Sequence, residues 1–339
     1  MTAAKATPHS ARKVHLHIEN HSDMGAVFEV TRKRIADARA RHPDVAKQVR
    51  ITMGLDGKNL EKNLRTADAF FTWYVDDRET FAARAPRVRW VIAHGAGVSH
   101  LMPLDWLAPG AVLTNSAGVH GERAAEYAIM AVLMLNNRIP EMARNQARAR
   151  WDQLYNTEVA GKTLLIVGVG SVGSLAARHA KHFGLHVIGV RRSGKKRRYV
   201  DEMVSPDKLR QVLPRADFLL MCAPDTDASH HMIAAPELDL MKKGAGLVNY
   251  SRAGVIDYAA LQKKLVKGEL VAILDVFDPE PLPKSSVLWK TPNLLITPHS
   301  SSDDWELYTP KTLDLMFENM RRFLAGGKLK NVVDPKLQY

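Results

Sequence analysis

Cysteine is nearly absent from this 339-residue chain: Cys222 stands alone. A lone thiol excludes an intramolecular disulfide framework and a cysteine-built zinc centre, so no metal is expected. It fits a reducing compartment, and a cytoplasmic location is expected. Aromatic residues are sparse, at 7%. Long apolar runs are missing too. The longest, 124–135, is interrupted by Glu126 and is too short to span a bilayer, so no membrane partner is expected. No repeat of solenoid or propeller length recurs. Acidic residues are outnumbered, 36 against 48 Lys plus Arg, for a net charge of +12 and a pI near 9.7. That field favours anionic ligands and by itself admits nucleic acid or acidic metabolites. No helix-turn-helix, RRM or zinc-finger pattern accompanies it, so no nucleic-acid partner is expected. The first 13 residues are basic but have no apolar h-region. A short leader is expected there rather than a secretory signal, with a transit peptide as the rival.

What is present is ordinary globular material, 46% apolar and 25% charged. The middle of the chain alternates short apolar runs with helical stretches. Strands are expected at 163–167, 186–190, 217–223, 246–250, 271–277 and 293–297. Helices are expected near 207–213, 237–243 and 258–267. Val172, Leu175, Ala176, Ala180 and Phe183 recur at helical spacing, with Gly184 as a C-cap. Nearly continuous apolar strands alternating with helices imply a parallel sheet covered on both faces, and six of them make one doubly wound domain. The first third repeats the pattern more weakly, with strands at 14–18, 69–73, 88–93 and 112–115 and helices near 28–41 and 78–83. A long helical stretch, about 120–150, leads into the central domain. Leu313, Met316, Phe317, Met320 and Phe323 mark a last amphipathic helix that returns to the first domain. The expected fold is α/β with two Rossmann-like domains, flavodoxin-like plus doubly wound. A discontinuous substrate-binding domain is expected at 1–116 and 303–339, and a dinucleotide-binding domain at 117–302.

Gly168-x-Gly170-x-x-Gly173 follows a strand and opens a helix. The first glycine permits a tight turn, the second a close approach by a pyrophosphate, and the third close helix–strand packing. The helix N-terminus, at Ser171 and Val172, faces the phosphates. A ribose reader is expected at the end of the next strand. NAD sites place a carboxylate there; this chain has Arg191, Arg192 and Ser193 instead. Guanidinium groups suit a 2′-phosphate, which a carboxylate repels. NADP(H) is therefore the expected cofactor, with NAD(H) the alternative. The rival reading of the run is a solvated basic loop, which suits Lys195 to Arg198 better than Arg191.

Ligands of open parallel sheets sit beyond the carboxyl ends of the strands. Just past three of these strands stand Arg252, Glu280 and His299. Arg252 can hold a carboxylate and polarise an adjacent carbonyl. His299 can exchange a proton near neutral pH. Glu280, stiffened between two prolines, can orient the imidazole and favour its charged form. Singly each has a plain structural reading. Jointly, downstream of a dinucleotide motif, they are the set that reduction of a 2-keto acid requires.

The chain resembles the D-isomer-specific 2-hydroxyacid dehydrogenase family along nearly its whole length. The matching runs are AHGAGVSH (93–100), GKTLLIVGVGSVG (161–173), NYSRAG (249–254), LDVFDPEPLP (274–283) and ITPH (296–299). The resemblance implies Arg252, Glu280 and His299 as the catalytic three. It implies a substrate carboxylate held by the N–H groups of Ala96 and Gly97, and Asp275 near the nicotinamide carboxamide. Ala223, Pro224, Thr226, Tyr250 and Ser251 are implied along the cofactor cleft, with Arg252 and His299 also bordering the cofactor. It also implies a cleft between two hinged domains and a homodimer formed through the long helix. Arg191 in place of the usual Asp resembles the NADPH-using glyoxylate/hydroxypyruvate reductase branch. Tyr250 and the run Ser300-Ser-Ser-Asp-Asp304 depart from the family pattern. Trp73 and Tyr74 either line the substrate site or fill the core, and Trp151 is a candidate for reaching a partner subunit.

The expected activity is reduction of a short 2-keto acid. The rivals are a dinucleotide-sensing scaffold or corepressor on the same fold, and other specificities such as D-lactate or phosphoglycerate. Formate dehydrogenase is disfavoured, because that branch carries Gln where Glu280 stands.

Overall fold

A computed structural model describes residues 12–339. All but the last two residues of the expected leader therefore lie outside the described residues. The chain forms two compact units, one of the described residues through Val119 with Trp305–Tyr339, the other His120–Asp304.

The first unit holds β1 (Val14–Asn20), β2 (Val49–Leu55), β3 (Ala69–Thr72), β4 (Trp90–Ala93) and β5 (Val112–Thr114). All pair in parallel in the order β2-β1-β3-β4-β5, the flavodoxin-like arrangement. One face buries Leu16, Ile18, Phe71 and Trp90 against Leu313, Met316, Phe317 and Met320 of helix Tyr308–Leu324. The other buries Phe70 and Val91 with Leu64, Phe81 and Trp106. Period-2 alternation on the strands meeting 3.6-period apolar stripes on the helices gives both cores.

The second unit holds β6 (Thr163–Val167), β7 (His186–Val190), β8 (Glu202–Val204), β9 (Phe218–Met221), β10 (Ala245–Asn249), β11 (Leu270–Leu274) and β12 (Leu294–Ile296). They form one parallel sheet in the order β12-β11-β10-β9-β6-β7-β8. The direction of winding reverses between β6 and β9, the switch point where such sheets take ligands. Helices Gly121–Asn136 and Ser171–His182 cover one face through Ala124, Ala128, Ala176 and Ala180. Leu261 and Leu265 of helix Tyr258–Val266 cover the other. Asp257 caps that helix by accepting from the N–H groups of Ala259 and Ala260.

The α/β class with two parallel sheets is as the sequence leads one to expect; several elements differ. The second sheet has seven strands, not six, because the three-residue edge strand β8 carries too short a pattern to read. β2, also an edge, reads VRITMGL, and its polar alternate positions hid it. The helical stretch at 120–150 is two helices, Gly121–Asn136 and Ile139–Ala147. Arg138 adopts a left-handed φ of 55°, and Pro140, barred from a helix interior, sits in the first turn of the second. The first helix starts at Arg32 behind a Thr31 cap, leaving Phe28 outside it. The 207–213 stretch is broken into a short helix flanked by 3-10 turns, and the helix expected near 237–243 is Ala235–Asp239, two residues earlier and shorter. Phe183 lies past the helix end and is exposed. Among the described residues no helix is long and apolar enough to cross a membrane.

Candidate active site

The glycine loop lies at the switch point of the second sheet. Gly168 has φ 101°, and a Cβ there would stand 2.5 Å from the Ala223 nitrogen and the Cys222 carbonyl carbon, so the loops after β6 and β9 touch backbone to backbone. A Cβ on Gly173 would stand 2.3 Å from the Gly168 oxygen. A Cβ on Gly170 would meet nothing within 4 Å, so that face of the loop is open. Ser171, exposed, opens the helix beside it, where first-turn N–H groups lack intrahelical partners. Two closed glycines, one open one and a helix N-terminus are what a dinucleotide pyrophosphate fits.

The neighbouring loop is stapled by Ser229, whose hydroxyl donates to Pro224 O at 2.6 Å and accepts from the Thr226 N–H at 2.9 Å. Arg191 extends β7 by donating its N–H to Val204 O at 3.0 Å. Arg192 and Ser193 are exposed in the turn that follows. Tyr250 differs from its expected surroundings. Its ring is buried in the core against Tyr127, with its hydroxyl 3.2 Å from Cys222 Sγ. Burial pushes the Cys222 thiol up to about 12, which leaves it unreactive.

The carboxyl ends of β10, β11 and β12 bring the ionisable residues together. His299 Nδ1 lies 2.7 Å from Glu280 Oε2. With the carboxylate ionised, Nδ1–H donates. Glu280 is itself held, its Oε1 accepting from the Phe277 N–H at 2.7 Å. His299 has a left-handed φ of 46°, and its N–H donates to Asp275 O at 2.8 Å. That uncommon backbone state is fixed by Asp275. The fully buried Asp275 carboxylate accepts from Thr297 Oγ1 at 2.5 Å, Ser300 N at 3.0 Å and Ser301 N at 3.2 Å. Tyr127 donates to Thr297 at 2.7 Å, extending the chain to helix Gly121–Asn136.

Arg252 is half-buried, and its Nη1 donates to Ser251 O at 2.6 Å. Its backbone is pinned by Asn249, whose amide donates to Arg252 O at 2.9 Å and to Tyr258 Oη at 3.0 Å. Tyr258 in turn donates to Val276 O at 2.8 Å. Two residues that sequence reasoning missed belong to this cluster. Burial, then the charges of Arg252 and His299, hold the His120 imidazole down at about 4. Asp303 is raised by burial and then feels His299, Asp275 and Arg252. His120 stands at no strand end and in no motif, and Asp303 lies in the Ser300–Asp304 run, which the sequence marks only as a departure from the family pattern.

In the first unit the 95–97 loop follows β4. Asn115 Nδ2 donates to Ala96 O at 2.9 Å and Ser116 N to Gly95 O at 3.1 Å. Trp73 packs under the loop: a Cβ on Gly95 would lie 2.8 Å from its ring. Its ring meets Phe28 at 4.9 Å and His94 at 4.8 Å between centroids. The Trp73 indole N–H and His94 Nε2 are buried without a partner. Burial drives the His94 imidazole down to about 3. Trp151, by contrast, is 93% exposed.

The chain matches the sequence signature of the D-isomer specific 2-hydroxyacid dehydrogenase NAD binding domain over residues 129–301. It is 31% identical over 292 residues to a glyoxylate reductase of Korarchaeum cryptofilum, covering 83% of this chain and 86% of that one. A D-isomer specific 2-hydroxyacid dehydrogenase from Xanthobacter autotrophicus, solved with NADPH and MES, superposes with a TM-score of 0.83 at 26% identity, covering 97% and 100% of the two chains. An NADPH-dependent glyoxylate/hydroxypyruvate reductase from Sinorhizobium meliloti, solved with NADP and sulfate, gives 0.81 at 25% identity, covering 96% and 100%. The open glycine loop, the strand-end cluster and these likenesses agree: the chain belongs to the D-isomer-specific 2-hydroxyacid dehydrogenase family, oxidoreductases that use a nicotinamide dinucleotide.

Proposed function

We propose that the protein reduces a short 2-keto acid of the glyoxylate or hydroxypyruvate type to its D-2-hydroxy acid, with NADPH as the preferred cofactor. The observation that carries this reading is the His299–Glu280 pair at 2.7 Å, with Arg252 just past the end of the neighbouring strand β10. When bound, the reduced nicotinamide supplies a hydride to the substrate carbonyl carbon. The chain supplies the rest. Glu280 accepts from Nδ1–H and orients the ring, and His299 in its imidazolium form donates the Nε2 proton to the carbonyl oxygen, leaving the neutral Nδ1–H imidazole. Arg252 holds the carboxylate and stabilises negative charge as it develops on that oxygen. In the first unit, the N–H groups of Ala96 and Gly97 are the donors this reading assigns to a substrate carboxylate. Gly168, Gly170, Ser171, Val172 and Gly173 would hold the pyrophosphate, with Ala223, Pro224 and Thr226 beside them and Arg191, Arg192 and Ser193 on the 2′-phosphate. The buried Asp275 acts as an anchor for the His299 loop.

The test is initial rates of NADPH and NADH oxidation with glyoxylate, hydroxypyruvate and pyruvate. Fastest turnover is expected with NADPH and one of the first two. Changing Arg191 and Arg192 together to Ala should cost affinity for NADPH at least about tenfold more than for NADH, the scale of lost charge-assisted bonds. Equal losses count against the 2′-phosphate assignment. A homodimer belongs to the same reading. The exposed Met130 and Met142 on helices Gly121–Asn136 and Ile139–Ala147, and exposed Trp151, support it. Sedimentation equilibrium should return twice the 37.7 kDa chain mass; the single mass would remove the dimer from the account.

A further inference from the structure

The amino ends of the strands in the first unit carry a second concentration of positive charge. Arg12 and Lys13 precede β1, Arg50 lies in β2, Thr66 precedes β3 and Arg87 precedes β4, while Arg39 comes from helix Arg32–Arg41. Together they line an open groove of about 660 Å³, within the size range of small-molecule sites. Because the strands are parallel, this groove lies at the opposite end of the sheet from the 95–97 loop.

Among the described residues, one carboxylate, Asp68, enters the cluster. Asp68, its side chain 13% exposed, takes Arg12 at 2.6 and 2.7 Å and Arg87 at 3.3 Å, and also accepts from the His15 N–H at 2.9 Å. The bonds of the other two arginines run to neutral acceptors. Arg39 donates to Ala46 O at 3.1 Å. Arg50 donates to His15 Nδ1 at 2.7 Å, with Thr66 Oγ1 at 3.4 Å. Such bonds leave the positive charge uncompensated.

Arg50 is also the outer end of a buried polar chain. Its donation makes His15 Nδ1 an acceptor, so His15 Nε2–H donates to Thr52 Oγ1 at 2.8 Å. Thr52 then donates to His17 Nδ1 at 2.9 Å, and His17 Nε2–H to Glu19 Oε2 at 3.0 Å. Glu19 Oε1 takes the Gly57 N–H at 2.7 Å. This chain locks the neighbours of Arg50 in place while its guanidinium stays at the groove.

We propose that the groove is an anion site for a small, multiply charged phosphate ligand, with Arg50 as its central donor. Guanidinium forks arriving from several elements match the oxygens of linked phosphates, and one monocarboxylate would leave most of these cations unmatched. A phosphate oxygen is also a stronger acceptor for Arg50 than the neutral imidazole it now meets.

Isothermal titration of the full chain with inorganic pyrophosphate, at about 150 mM salt to suppress unspecific attraction, tests this. Saturable binding is expected. Lys13→Glu, a reversal on an exposed side chain, and Arg50→Met should each weaken it at least about tenfold. The paired change of Arg191 and Arg192 to Ala should leave this binding in place. Absence of saturable binding overturns the proposal. So does binding that neither Lys13→Glu nor Arg50→Met weakens, which would place the anion outside this groove. Tighter binding of a short DNA duplex than of pyrophosphate, with the same dependence on Lys13 and Arg50, would make the groove a nucleic-acid surface and also overturn it.

Discussion

His299→Ala is expected to slow keto-acid reduction by at least about 100-fold, the lower scale of general acid–base contributions, with the dissociation constant of NADPH little changed. The residue is held at two points, its ring by Glu280 on Nδ1 and its backbone by the Asp275 carbonyl on the N–H. The His120 imidazole, held at about 4 by burial, is neutral near pH 7 and has little proton to give. Glu280→Gln keeps the shape of the pair but removes the carboxylate that takes Nδ1–H, so kcat should fall while the dissociation constant of NADPH holds. Turnover unaffected by His299→Ala would remove the residue from the proposed role.

The second large effect is expected at Arg252. Arg252→Ala should lower kcat/KM for the keto acid about 100- to 1000-fold, the measured scale for losing a preorganised donor to developing oxyanion charge. The KM for the dinucleotide should barely move. Arg252→Lys should recover only a small part, because an ammonium cannot present the planar fork that meets a carboxylate with two bonds. The geometry explains the sensitivity. Arg252 follows Asn249, whose amide ties the Arg252 carbonyl to Tyr258, and Tyr258 ties the same loop to Val276 at the end of β11. An equal fall in kcat/KM for the keto acid and in dinucleotide affinity would point instead to collapse of this loop.

Much of this was legible in the residues. Buried parallel strands are continuous apolar runs, so β6, β7, β9, β10, β11 and β12 announced themselves, and the rule that ligands sit past strand ends singled out Arg252, Glu280 and His299. Edges were harder. β2 and β8 each have one pairing neighbour, so their sequences carry polar positions and a weaker pattern. Helix continuity at 120–150 was misread because a left-handed Arg138 lets the chain turn between two helices of similar composition. The supports of the site were hidden for another reason. Asp275, Thr297 and Tyr127 form one hydrogen-bonded chain across 170 positions of sequence, and His120 comes under the influence of Arg252 and His299 only through folding. Tyr250 looked like a cofactor neighbour by position, whereas its ring turned into the core beside Tyr127.

The most direct test of the central claim is transfer of the label from NADPH with both C4 hydrogens of its nicotinamide replaced by deuterium, with glyoxylate as acceptor. Mass spectrometry of the glycolate should show one deuterium on the carbinol carbon, at a rate that falls at least about 100-fold in His299→Ala. Glycolate formed without the label, or no oxidation of the dinucleotide by any short 2-keto acid, would contradict the account.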